Sequence, residues 1–209
     1  MKTVFQIILT IAILFLGYLC YDSINQPIKF QKHYNNRKEA VISQLEEIRD
    51  VQVAYKSVYN KYTGSFDTLL TFLKNDSLPL VKKVGSLTDS MIEAGITETK
   101  ALALGIIRRD TLRVAAGDSL FKEDYPIDSL PFVPFSGGVK FEMGAGIVVT
   151  GSGVKVNVFE VKTPYNVFLQ GLDKQEVINL NDKAIKYEKF PGLKVGSLEA
   201  ANNNAGNWE

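Results

Sequence analysis

A catalytic or metal-binding protein needs nucleophiles, bases or ligands placed together, and few residues here qualify. His33 is the only histidine and Cys20 the only cysteine. Cys20 lies inside an uncharged apolar run and His33 in the polar stretch after it, so no Cys/His pair forms. Metal sites gather several His, Cys or carboxylate ligands, and this sequence offers no such cluster. His33 reads as an interfacial polar residue. "GAGIVVTGSG" (144–153) is glycine-rich, but a dinucleotide loop follows a strand and opens a helix. The centre of this run, Ile147-Val148-Val149, is β-branched and suits a buried strand, with Gly151-Ser152-Gly153 as a hairpin turn. Glu46 and Glu47 are adjacent, and neighbours on a helix point about 100° apart. They belong to a solvated face. The reading is therefore of no catalytic residue, no cofactor and no metal.

The first run, "MKTVFQIILTIAILFLGYLCYD", has no charge between Val4 and Tyr21. As a helix these residues extend about 27 Å at about 1.5 Å each, close to a hydrocarbon core of about 30 Å. In lipid the backbone must satisfy itself, which dictates a helix. Phe5, Ile8, Ile11, Leu14, Leu16 and Leu19 are the expected lipid-facing anchor. An export signal ends in small residues at its cleavage site, whereas "LGYLCYDS" puts Tyr18 and Leu19 there. A lipidated cysteine follows a pattern resembling L-[AS]-[GA]-C, and Leu19 occupies the small-residue position. The expectation is an anchor over 1–22 that is retained.

The chain has 209 residues, enough for one ordinary domain beyond the anchor. Lys2 aside, 23 basic residues (24 less one) balance 23 acidic ones. That neutrality leaves no electrostatic footprint for nucleic acid. One cysteine excludes an intramolecular disulfide. Aromatic content, with Gly and Pro gathered at turns, points to a folded domain.

After the anchor, 23–35 reads as a polar joint. Pro27 argues against an unbroken helix there, or for a kink within one long helix. Within 36–64, Val41, Leu45, Ile48, Val51, Tyr55, Val58 and Tyr62 recur at spacings of three and four, the apolar face of a helix. Gly64 is its expected stop. Such a stripe either supports its own domain or packs on other copies. The expected mixture docks 51–62 on the head and leaves 41–48 for neighbouring chains. A short helix follows at 65–76 with Ser65 as cap, and another over 97–110 with Thr97 as cap. "TLRVAAGDSLF", "LPFVPF" and 139–164 then read as strands. Val154, Val156 and Val158 form an inward face alternating with Lys155 and Asn157. Asp173 and Glu176 begin a last helix that runs toward Pro191-Gly192. The polar tail ends near Trp208, and its docking is open. The fold class is α+β, a long amphipathic helix on an antiparallel β-rich head, with one soluble domain over 36–209.

The order of elements, with "AYKSVYNKYTGSFDTLLTFL" (54–73), resembles the type IV pilins and type II secretion pseudopilins. The matching residues are Ala54, Tyr55, Tyr59, Tyr62, Gly64, Phe66 and Leu69. The resemblance covers roughly the first 75 residues. It implies a first helix that assembles within the membrane and a strand-rich head facing outward. The chain departs from that family in having no glycine before Gly17 and no acidic residue before Asp22, so leader cleavage and glutamate-driven polymerisation are not implied. The whole chain also resembles single-pass envelope proteins of Bacteroidota, which implies no activity. Lys29, Lys32, Arg37 and Lys38 after the span would by the positive-inside pattern hold the bulk in the cytoplasm. Long domains translocate largely regardless of charge, and the resemblance favours export. The expectation is a non-enzymatic, single-pass inner-membrane protein, its bulk periplasmic. It would act as an assembly subunit with copies of itself or other envelope proteins. The alternative is a tethered binding or sensor domain.

Overall fold

The computed structural model describes residues 2–84, 86, 88, 91, 95, 97–122 and 124–209. Its dominant element is one helix, α1 (Lys2–Tyr59), about 87 Å long at about 1.5 Å per residue. The joint expected over 23–35 is helical throughout, so the second reading of Pro27 holds: it lies within one long helix. Proline removes one ladder hydrogen bond, and here it does so on an exposed surface where water can serve the freed carbonyl. Side chains knit the same turns. The Gln26 amide donates to Asp22 at 2.7 Å, and the Asn25 amide to the Tyr21 carbonyl at 3.2 Å.

The soluble part expected as one domain divides into two compact units. The first is Met1–Arg49 with Leu130–Glu209, and the second is Asp50–Ser129. In the first unit, β3 (Glu142–Val149), β4 (Lys155–Pro164) and β5 (Gly192–Gly196) form an antiparallel sheet in the order β3-β4-β5. The hairpin at 150–154 closes as expected, with the Thr150 and Gly153 amides bonded across it. The deeply buried face of β4 is Phe159, Val161 and Thr163. This is the opposite parity to the expected inward set: Val154 is exposed and Val156 half-buried, and of the three only Val158 is buried. "LPFVPF" is no strand, because Pro131 and Pro134 cannot donate to a ladder. Only Phe132 makes an isolated bridge, to Lys140. α5 (Tyr165–Phe168) and α6 (Lys174–Lys186) connect β4 to β5. The Asp173 carboxylate caps α6, accepting from the Gln175 and Glu176 amides at 2.9 and 3.1 Å. α1 is tied to this unit by its polar flanks. Arg37 donates to the Phe168 and Gln170 carbonyls, and Gln44 to the Leu130 and Phe132 carbonyls. The tail docks: Gly206 bridges Val195, and the Asn207 amide group donates to the Gly192 carbonyl. Gly196, at φ 74°, lies so close to the Phe159 carbonyl that no side chain fits there.

In the second unit α1 stops at Tyr59, five residues before Gly64. Asn60 takes the left-handed conformation (φ 55°) that ends helices. α2 (Phe66–Asn75) follows, with Ser65 at its N-cap position but without a capping side-chain bond. β1 (Ser77–Val84) pairs antiparallel with β2 (Arg108–Ala115), from Ser77 opposite Ala115 to Val84 opposite Arg108. The helix expected over 97–110 is only α3 (Glu98–Ala103), capped by Thr97. Gly105 in the left-handed region turns the chain into β2. The strand expected through 121 gives way to α4 (Ala116–Leu120). Gly117 is pressed against the Leu73 carbonyl, where a Cβ would stand at 3.0 Å.

Candidate functional site

The anchor residues Phe5, Ile8, Ile11, Leu14, Leu16 and Leu19 all face outward on α1. This is the one described helix long and apolar enough to cross a membrane, and none of its apolar window is buried. A core helix of a soluble protein would hide that surface; this one presents it, which fits a membrane anchor. Thr10 turns its polarity inward, its hydroxyl donating to the Gln6 carbonyl at 2.9 Å. Cys20 and His33 are both exposed on the same helix.

Further along α1, Val41, Leu45, Ile48 and Val51 are completely buried. Tyr55 is nearly so and Val58 is half-buried. Tyr62, expected on the same helix face, is also nearly buried but lies three residues past the end of α1, in the turn that follows it. This burial occurs inside a single chain. The expectation that 41–48 meets neighbouring chains is therefore corrected: that stripe is already covered by its own fold. Gln52 is buried beside it and clamps the turn after α1. Its amide donates to the Thr63 carbonyl at 2.6 Å, and its carbonyl accepts from the Thr63 amide at 3.2 Å. Glu46 lies 3.8 Å from Arg49, whose main partner is Glu209 at 2.6 Å.

The first unit holds an aromatic cleft of about 480 Å3. Tyr34 of α1 forms one wall with Tyr165, their rings edge to face at 6.2 Å. Leu180, Lys183 and Ala184 of α6 form another, and Tyr187, Lys189 and Phe190 close it. Burial, then the neighbouring Tyr165 hydroxyl and its hydrogen bond, push the Tyr34 phenol above its ordinary value, so it stays neutral. Asn207 also lines the cleft, but both ends of its amide are engaged by β5 backbone. These residues come from α1, α5, α6 and the turn before β5. Sequence reading missed them as a group; its only local trace was "KYEKF" (186–190), two aromatics alternating with lysines.

The second unit carries a smaller cleft lined by Tyr55, Tyr59, Phe72, Asp67 and Asp76. The Tyr59 hydroxyl is taken, donating to Asp76 at 2.6 Å. That hydrogen bond raises the Tyr59 phenol above its ordinary value.

The glycine-rich run is the β3–β4 hairpin and opens no helix. Its apolar centre is a strand but not a buried one: Ile147 is 65% and Val149 60% exposed. β3 pairs only with β4, and its other edge has no strand beside it among the described residues. β5, at the opposite end of the sheet, is covered by the chain's own tail. Among the described residues no group of three or more His, Cys, Asp or Glu is placed to hold a metal. No protein-family model, curated protein or solved structure matches the chain.

Proposed function

We propose that this is a single-span membrane-anchored envelope protein. Its work is not catalytic: it serves as a structural or assembly subunit, in the manner of a pilin-like component. The observation that carries the assembly reading is the open edge of β3. Natural sheets guard free edges with charge, proline, bulges or a covering segment. "EMGAGIVV" has one charge, at its first residue, no proline, and exposed Ile147 and Val149. Such an edge is complementary to a strand from another chain, through main-chain hydrogen bonds and apolar side chains. The continuity of α1 supports the anchored reading, since span and head share one helix with no flexible linker. In this proposal the span sits in the inner membrane and the head in the periplasm. The edge then meets copies of the chain or other envelope proteins.

One experiment addresses edge and topology together. Ile147→Cys is placed in a Cys20→Ser background, and cells with a permeabilised outer envelope receive a thiol crosslinker that cannot pass the inner membrane. The expected result is a crosslinked species, lost on adding Val149→Lys. Labelling only after the inner membrane is broken would refute the orientation. Crosslinks indifferent to Val149→Lys would refute edge pairing.

A second reading, a tethered domain that binds a small ligand, is favoured by one observation, the Tyr34 cleft.

A further inference from the structure

The geometry points to that cleft as a binding site for a small soluble organic anion: a carboxylate or phosphate monoester carried on a flat apolar ring. The inference deepens the ligand-binding reading and does not depend on the edge of β3.

Size and lining agree first. A space of about 480 Å3 falls in the range of small-molecule sites, about 300–1,000 Å3, which combine apolar walls with a few polar groups. Tyr34, Tyr165, Tyr187 and Phe190 supply ring surface against which a flat body stacks. Charge decides the rest. Lys183 and Lys189 both line the space and no carboxylate does. Their sequence neighbours Asp182 and Glu188 are not part of the lining, and neither lysine has an ion pair among the described residues. By contrast Lys162 and Lys194 each have a carboxylate within 4 Å, both reaching Glu160. Two lysines with no ion pair among the described residues, set beside aromatic rings, favour a negatively charged occupant. The smaller cleft of the second unit, lined by Asp67 and Asp76, has the opposite sign.

The height of the cleft selects the source of the anion. Tyr34 lies thirteen residues beyond Tyr21 on the same helix, about 20 Å along its axis at about 1.5 Å per residue. The headgroup layer adds only about 5–8 Å to each side of the hydrocarbon core. A phospholipid phosphate therefore falls short of the cleft, and the ligand comes from water.

The test uses the full chain in detergent micelles. Trp208 is the only tryptophan and adjoins the cleft residue Asn207, so its fluorescence reports occupancy. Three probes are titrated: phenyl phosphate, inorganic phosphate and dihexanoyl phosphatidic acid. Phenyl phosphate is expected to bind saturably, and inorganic phosphate, lacking the ring, at least about tenfold more weakly. The double variant Lys183→Gln/Lys189→Gln changes two exposed side chains and should keep the parent's melting curve. Its affinity for phenyl phosphate should fall at least about tenfold. Absence of saturable phenyl phosphate binding overturns the proposal, as does equal affinity in the double variant. Binding of the phosphatidic acid alone overturns the soluble source. Crosslinking at Ile147 is read out separately, so the failure of one idea leaves the other standing.

Discussion

Leu45→Ala separates a helix face that serves its own domain from one that serves neighbours. The Leu45 side chain is completely buried within one chain. The substitution removes three carbons beyond Cβ, worth about 2.4 kcal/mol at about 0.8 kcal/mol each. The unfilled space adds up to about 2 kcal/mol, because the surroundings relax only in part. The expected loss is about 2–5 kcal/mol, the range of buried leucine truncations. For a chain of this size each kcal/mol moves the thermal midpoint by about 2–4 °C, so the melt should fall by at least about 4 °C. Ser43→Ala, two residues away and exposed, should stay within about 0.5 kcal/mol of the parent. Circular dichroism melts of the full chain in detergent, at several protein concentrations, provide the reading. A midpoint that Leu45→Ala leaves unmoved would refute burial within the chain. So would a loss that appears only at high protein concentration, since the apolar area would then leave water on association.

Two further outcomes follow from single residues. Gln52→Ala should destabilise the second unit by about 2–3 kcal/mol, because it strips partners from both the amide and the carbonyl of Thr63 in a partly buried turn; urea unfolding of the variant measures it. Tyr34 gives a pH signature with a definite sign. Its folded-state value is raised above the ordinary 10.0, so its neutral form favours the fold. That stabilisation is complete below about pH 10 and is lost as pH climbs through the raised folded value. The unfolding midpoint should decline above about pH 10, with a smaller decline in Tyr34→Phe; identical slopes would show that Tyr34 is not the group involved.

How much of this was legible in the sequence depends on the range of the forces involved. The uncharged run 4–21 dictated an apolar helix by itself, because length and the absence of charge are local properties. The spacing of Val41, Leu45, Ile48, Val51 and Tyr55 likewise set which face of α1 is apolar. Asp173 announced the start of α6, since a carboxylate two and three residues before unpaired amides is a short-range interaction. Sequence alone could not say what covers the α1 stripe, because a periodic pattern looks the same whether the partner is its own chain or another. It misjudged Ile147 and Val149, whose β-branched types fit a strand equally well at an open edge or in a core; the sheet order, with β3 outermost, decided their exposure. It reversed the parity of β4, because valines at 154, 156 and 158 alternate as convincingly as Phe159, Val161 and Thr163, and only the neighbouring strands select a face. The Tyr34 cleft was invisible for the same reason: Tyr34, Tyr165 and Lys183 lie far apart along the chain, and it is the packing of α1, α5 and α6 within the first unit that brings Lys183 and Lys189 to a wall of aromatic rings.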